Sequence, residues 1–237
     1  MRLTNILIFA SIRVFEKCMP ALSLVAVSPI IPSSYFHWNA VIEDSWKDAR
    51  EEVESLLQSK SAIPSFVDIS VEQARLSNDD KWKTFFFRAY GVDIEENLQR
   101  CPATAALVRR IPGCTTAFFS IMDPGTEIPP HRGPFRGVIR YHLGIRIPEP
   151  ARCGLKVGGE HITWEEGKGV FFDDTYEHEA WNRSHSERVV LFIDIKRPLR
   201  WPFNFLNDFY LSVMQKSELV SAALVRQRQW NVDHQDD

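Results

Sequence analysis

Between residues 115 and 198 the chain is divided into short apolar runs by Pro-Gly, Gly-Gly and charged turn clusters. The runs fall at 118–122, 137–146, 154–157, 161–164, 169–172 and 189–195. Each is strand-sized and bounded by helix-breaking residues, so together they predict a β-sandwich or barrel. The flanks read differently. Ile42, Trp46, Ala49, Val53, Leu56 and Leu57 recur at spacings of three and four, predicting one amphipathic helix. Thr104 is placed to cap a shorter helix through Val108, which Pro112-Gly113 ends. Leu206, Phe209, Tyr210, Val213 and Met214 repeat the helical spacing, and the pattern continues weakly toward Trp230. The expected fold class is therefore mainly β with flanking helices (α+β), the helices packing on a double-sheet core.

Three segments follow from this pattern: an apolar extension of unknown role at 1–34, a central domain at 35–200 and a helical extension at 201–237. In the first, the run 6–12 and the proline-interrupted run after it both fall short of the ~18 residues a spanning helix needs. Arg13, Glu16 and Lys17 also divide the pattern of a signal peptide. The expected location is cytoplasmic, with the N-terminal segment a candidate for peripheral membrane contact. Lysine and arginine total 28 against 31 aspartates and glutamates, a net charge of −3 that argues against a nucleic-acid partner. Four cysteines without a Cys-x-x-Cys pair fit a reducing compartment and disfavour a cysteine-ligated zinc.

Two histidines have unusual neighbours: His131 in Pro129-Pro130-His131-Arg132-Gly133-Pro134, and His178 in Tyr176-Glu177-His178-Glu179. Both are expected just outside strands, where a rigid sheet aims a loop side chain into a pocket. Imidazoles from opposite sheets suit a divalent metal such as iron, zinc or copper. Strand parity puts Arg140 and His142 on one face with Val138 and Gly144, and Ile139, Tyr141 and Leu143 on the other. Parity alone does not say which face is the core. Arg188 opens a run buried on both faces, where a guanidinium needs a planar carboxylate partner.

The segments HRGPFRGVIRYHLGIRIPEP, WEEGKGVFFDDTYEHEAWN and SERVVLFIDIKRP, in order and with Trp82 to Pro198 as their frame, resemble the aspartyl/asparaginyl β-hydroxylase family of iron(II)- and 2-oxoglutarate-dependent dioxygenases. The resemblance implies a double-stranded β-helix, the jelly-roll or cupin-like core. It implies His131 and His178 as iron ligands and Arg188 as the partner of the far carboxylate of 2-oxoglutarate. Ser120, Arg140 and His142 match positions that also contact the oxo-acid. Non-haem iron oxygenases usually carry an acid two residues after the first histidine; here that residue is Gly133. Asp173 and Asp174 are expected to be structural, with second-sphere support of the metal as the alternative.

The activity so implied is hydroxylation of an unactivated carbon, with O2 and 2-oxoglutarate as co-substrates and succinate and carbon dioxide as products. The family name points to an aspartyl or asparaginyl side chain in a peptide, or to a free amino acid. A lipid substrate, as in the branch that hydroxylates lipid A acyl chains, is the alternative. It draws on the apolar N-terminus, the aromatic run 82–87 and the apolar C-terminal helix. Gly133 and the lack of a clear membrane anchor favour the protein or amino-acid substrate. A cupin-like binding protein without catalysis is the reading from another class. The sequence leaves the oligomeric state open.

Overall fold

The structure, a computed structural model, describes residues 3–71, 74–77 and 79–234. Residues 1–2 of the expected N-terminal extension and 235–237 of the C-terminal one lie outside the described residues. The helices are α1 (Leu3–Leu22), α2 (Asn39–Asp44), α3 (Trp46–Leu56), α4 (Phe66–Ile69), α5 (Glu95–Arg100), α6 (Pro102–Arg110), α7 (Phe203–Gln215) and α8 (Glu218–Asp233). The strands are β1 (Ile30–Ile31), β2 (Trp82–Ala89), β3 (Val92–Asp93), β4 (Cys114–Met122), β5 (Thr126–His131), β6 (Val138–Arg146), β7 (Cys153–Val157), β8 (Glu160–Ile162), β9 (Gly169–Phe172), β10 (His178–Asn182) and β11 (Arg188–Lys196).

Two antiparallel sheets result, one ordered β1-β9-β6-β11-β4-β2-β3 and the other β5-β10-β7-β8. From β4 onward the chain alternates between them, so that β4, β6, β9 and β11 face β5, β7, β8 and β10. This interleaving is the jelly roll, or double-stranded β-helix. The first 34 residues are not detached from it, because Ile30 and Ile31 pair with Phe172 and Phe171 of β9.

Period-two alternation gives the large sheet two different faces. Ile139, Tyr141, Leu143, Phe119, Ile121, Val189, Leu191 and Ile193 point outward into a core closed by α3 and α6, which contribute Ala49, Val53, Leu107 and Val108. Ser120, Arg140, His142 and Arg188 occupy the alternate positions, and Val190, Phe172 and Met122 beside them pack against Leu155, Val157 and Ala180 of the small sheet. The polar set therefore points between the sheets.

Several elements differ from the expectation. The helix expected over 42–57 is broken at Ser45, which leaves helical geometry at φ −102, ψ 10 and turns its hydroxyl back onto the Val41 carbonyl at 3.1 Å. Thr104 is not an N-cap: α6 begins two residues earlier at Pro102, whose missing N–H costs nothing there. Its free amides are satisfied from outside, since Glu52 of α3 accepts the N–H groups of Ala103 and Thr104 at 2.7 and 2.9 Å and the Thr104 hydroxyl at 2.6 Å. The C-terminal pattern divides into two helices, with Ser217 capping α8 through Val220 N–H at 3.4 Å. Phe209, grouped by spacing with the buried side, is more than half exposed, and α7 instead turns Tyr210 and Asn207 inward. The cysteines at 18, 101, 114 and 153 are all unpaired.

Candidate active site

His131 ends β5 and His178 begins β10, and the two are directly opposite in the antiparallel ladder. Both lie within strands, and on adjacent strands of the same small sheet, which corrects the expectation of loop positions supplied by opposite sheets. Proline at 129 and 130 had masked β5, but it is tolerated because β5 is an edge strand. The register slips just after His178, a bulge that re-aims the side chain. The imidazole centroids are 4.0 Å apart, with the planes inclined by 50°.

Each ring is anchored in the same way. His131 Nδ1 lies 2.8 Å from the Pro129 carbonyl, and His178 Nδ1 lies 3.0 Å from the Tyr176 carbonyl. A carbonyl only accepts, so Nδ1 carries the proton and Nε2 keeps its lone pair for a metal. Burial, then the positive charge of Arg140 and the neighbouring His131, pushes His178 down to about 3. Burial lowers His131 as well. Both rings are therefore neutral near pH 7, the form that ligates. The donor set fits a divalent transition metal.

No group of three or more His, Cys, Asp or Glu side chains gathers around a common point among the described residues. The space beside Gly133 explains why no acid stands there. A Cβ on Gly133 would lie 2.0 Å from Asp174 Oδ2, and the Gly133 N–H donates to the Asp174 carbonyl at 2.7 Å. The Asp174 carboxylate fills the volume that any side chain at 133 would need. Burial raises this carboxyl to about 6 although Arg140 opposes the shift from 2.9 Å away. Asp173 is structural: it pairs with buried Arg197 at 2.6 Å and accepts from the Thr175 N–H at 3.0 Å.

Deeper between the sheets, Arg188 is buried with no carboxylate partner. Its Nη2 touches the Met122 sulfur, its Cζ lies 4.5 Å from the centre of the Trp164 ring, and Nε and Nη1 have no hydrogen-bond partner. Burial lowers it to about 10, which leaves it charged at neutral pH. His142 is equally buried, with neither ring nitrogen bonded, and burial together with Arg140 and Arg188 holds its pKa well below the usual imidazole value. The Ser120 hydroxyl accepts the Trp82 indole N–H at 3.0 Å and so keeps its own proton to give. Trp164 is fully buried and its indole N–H is also unbonded.

These groups are nearly all donors, and a buried cation without an acceptor is costly. A carboxylate is the group that would complete them. Trp164 was missed as a site residue from the sequence, where it reads as the end of an apolar run. Its company in WEEGKG gave no sign that its face would carry Arg188.

Arg140 is engaged otherwise. Its Nε and Nη2 donate to the Asp194 carboxylate at 2.9 and 3.3 Å, its Nη2 also faces Asp174, and its plane lies over Phe192 at 4.2 Å. The structure thus brings His131 to His178, and gathers Ser120, His142 and Arg188 in the interior, with Arg140 tied to two acids between them. Beside His178 a depression of about 290 Å³, bordered by Pro130, Arg132, Gly158 and Tyr176, opens to the surface.

Fold and site together define a jelly-roll protein with two imidazoles opposed across one strand pair. Residues 43–198 match the sequence model of the aspartyl/asparaginyl beta-hydroxylase family, and the chain belongs to that family. It is 42% identical over 203 residues to the ornithine lipid ester-linked acyl 2-hydroxylase of Rhizobium tropici, covering 85% of this chain and 72% of that protein. That likeness extends beyond the family span into the flanking segments. The chain is 32% identical over 162 residues to the human aspartyl/asparaginyl beta-hydroxylase, covering 66% of this chain but only 21% of the human protein. Among solved structures, the DMSP lyase DddQ of Ruegeria pomeroyi overlaps 49% of this chain and 47% of its own at a TM-score of 0.34 and 11% identity. That overlap is too slight to bear on the fold, which rests on the strand order above.

Proposed function

We propose that this chain is an iron(II)- and 2-oxoglutarate-dependent dioxygenase that hydroxylates an acyl chain of a membrane lipid. The observation that carries the chemistry is the buried guanidinium of Arg188, unpaired beside three further donors on the face of the large sheet that meets the small sheet, which bears two Nδ1-anchored imidazoles. His131 and His178 would hold the iron through Nε2, and Arg188 would pair with the distal carboxylate of 2-oxoglutarate. The bound iron and oxo-acid would supply the oxidation, with one oxygen atom of O2 going to the substrate carbon and the other to succinate as carbon dioxide leaves.

The protein's own contribution is placement and a dry wall. Trp164 holds the Arg188 plane by stacking, so the guanidinium is set before the co-substrate arrives. Ser120 and His142 stand on the neighbouring strands β4 and β6, with hydrogen-bonding capacity not used by the fold. Phe172, edge-on, and Phe192, tilted, each lie 5.0 Å from the His142 ring and line the interior with hydrocarbon. Asp174 leaves no volume for a side-chain ligand at 133, so the metal would depend on the two histidines.

The lipid substrate is supported by the 42% identity to an acyl hydroxylase over most of both chains, against the narrower match to the human enzyme. The second reading, an aspartyl or asparaginyl side chain or a free amino acid, is supported by the family to which residues 43–198 belong. One experiment separates them. Purified protein with iron(II), ascorbate and 2-oxoglutarate is given ornithine lipid in detergent, or an aspartate-containing peptide, and mass spectrometry follows the gain of one oxygen and the release of succinate. The expected product is hydroxylated lipid, lost in Arg188→Ala. Product on the peptide alone would replace the lipid reading, and binding of the oxo-acid with no product from either would leave a non-catalytic cupin-like protein.

A further inference from the structure

We propose that α1 and α7 form a docking face for a bilayer containing anionic lipid, with Trp201, Phe205 and Phe209 entering the interface and Arg13, Lys17 and Arg200 meeting its phosphates. This docking face depends on the lipid reading above and specifies how the protein meets such a substrate. α7 has one packed side and one bare side. On the packed side Tyr210 lies 5.3 Å from Phe15 of α1, and Leu206 and Met214 join the same cluster. On the bare side Phe205 and Phe209 stand four residues apart, and Trp201 lies in the turn just before the helix. They are 62%, 53% and 79% exposed. Two large aromatics one turn apart on a helix, with an exposed indole in the turn that leads into it, are not the scattered exposure of an ordinary surface. An exposed indole next to arginine is the pairing favoured at a membrane–water boundary.

Charge selects the occupant. Arg13 and Lys17 are four apart on α1, and Arg200 is tied to the end of that helix by its N–H to the Leu22 carbonyl at 2.9 Å. None of the three has an acidic partner among the described residues. Of the nearby acids, Asp208 is paired with Lys196 at 2.6 Å and Glu16 is turned onto the Arg136 backbone N–H at 2.9 Å, so the three cations outnumber the one carboxylate left without a cation. The surface left over is apolar and cationic. A second copy would set like charge against like, whereas an anionic bilayer complements both properties. No helix among the described residues is long and apolar enough to cross a membrane, so the contact is peripheral.

The same two helices grip the loop that follows His131. Asn207 of α7 donates to the Gly137 carbonyl at 2.9 Å, Glu16 of α1 accepts from Arg136, and Phe135 is buried in the α1–α7 cluster. The bare side of α7 is thus separated from residues 135–137, just after a metal-ligand candidate in the chain, by the width of one helix, roughly 10 Å. Docking there would hold the site close to the lipid.

The test is sedimentation of the full chain with vesicles of phosphatidylethanolamine and phosphatidylglycerol, and with phosphatidylcholine alone. Wild type is expected to sediment with the anionic vesicles and to release at high salt. Trp201→Ser/Phe205→Ser/Phe209→Ser is expected to weaken partition at least tenfold, and Arg13→Glu/Lys17→Glu to abolish the preference for anionic vesicles. Leu219→Ser/Val225→Ser, at equally exposed positions of α8, is expected to bind as wild type. The charge variant leaves the apolar packing alone and so stands in if the aromatic variant fails to fold. No sedimentation of wild type, unchanged partition in both variants, or a wild-type dimer that the aromatic substitutions dissociate would overturn the docking face. Turnover of detergent-dispersed ornithine lipid needs no bilayer and reports the substrate separately. Turnover without vesicle binding removes the docking face alone, and vesicle binding without lipid turnover removes the substrate reading alone.

Discussion

The two faces of the large sheet are built from alternate residues of the same strands, and they follow opposite rules. The outer face, with Ile139, Leu143, Ile121, Leu191 and Ile193, is hydrocarbon closed by helices. The inner face, one residue out of step, carries Ser120, His142 and Arg188, also buried, and both ring nitrogens of His142 and two of the Arg188 guanidinium have no partner in the protein. The outer face stabilises the fold throughout, whereas on the inner face the unpaired polar groups offset part of what Met122, Phe172 and Val190 contribute. Carrying unpaired polar groups in a core is costly, and the most economical account is that a ligand completes them.

That contrast can be broken from either side. Leu143→Ala on the outer face is expected to cost about 2–5 kcal/mol in stability, read by denaturant unfolding, while the affinity for an oxo-acid analogue per folded molecule stays unchanged. Arg188→Met on the inner face should do the reverse. Calorimetry is expected to show analogue binding weaker on the order of 100-fold, with stability equal to or above wild type because a buried unpaired charge is gone. If Arg188→Met instead unfolds the protein, the guanidinium belongs to the core and not to a ligand site.

Arg188→Lys keeps the charge but loses the planar fork and its stacking on Trp164. It is expected to raise the apparent 2-oxoglutarate requirement roughly tenfold with little change in folding. The smallest effect is expected for His142→Phe, a gain of about 1 kcal/mol from removing two unbonded buried nitrogens. It also has a pH signature. The folded His142 is held far below an ordinary imidazole, so as pH falls below about 6.5 the unfolded chain takes up the proton first and the wild type loses stability. The variant should lose less over that range, measured as the difference in melting temperature between neutral and mildly acidic buffer.

Legibility in the sequence followed the length of the signal. β4, β6, β9 and β11 were readable from apolar runs, because strands buried on both faces are apolar almost throughout. β5 and β10 were not, since a Pro-Pro pair and a His-Glu pair disguise strands that alternate buried with exposed residues. The expected pairing of His131 with His178, and the roles expected of Arg188 and Ser120, came from a resemblance spread over more than a hundred residues. Composition would not have supplied them. Arg140 and His142 were known to share a face, but which face was core could not be read from parity.

Motif order alone therefore specified a jelly roll, a pair of histidines and a guanidinium in search of a partner. Only the folded chain decided that Asp174 fills the space beside Gly133, that Trp164 backs Arg188, that Glu52 caps a helix fifty residues away, and that Phe209 faces out while Tyr210 faces in. The reason is the range of the forces involved. Periodicity and turn chemistry act between neighbours along the chain, whereas a collision at 2.0 Å, a stacked cation or a borrowed cap exists only after distant segments have been brought together.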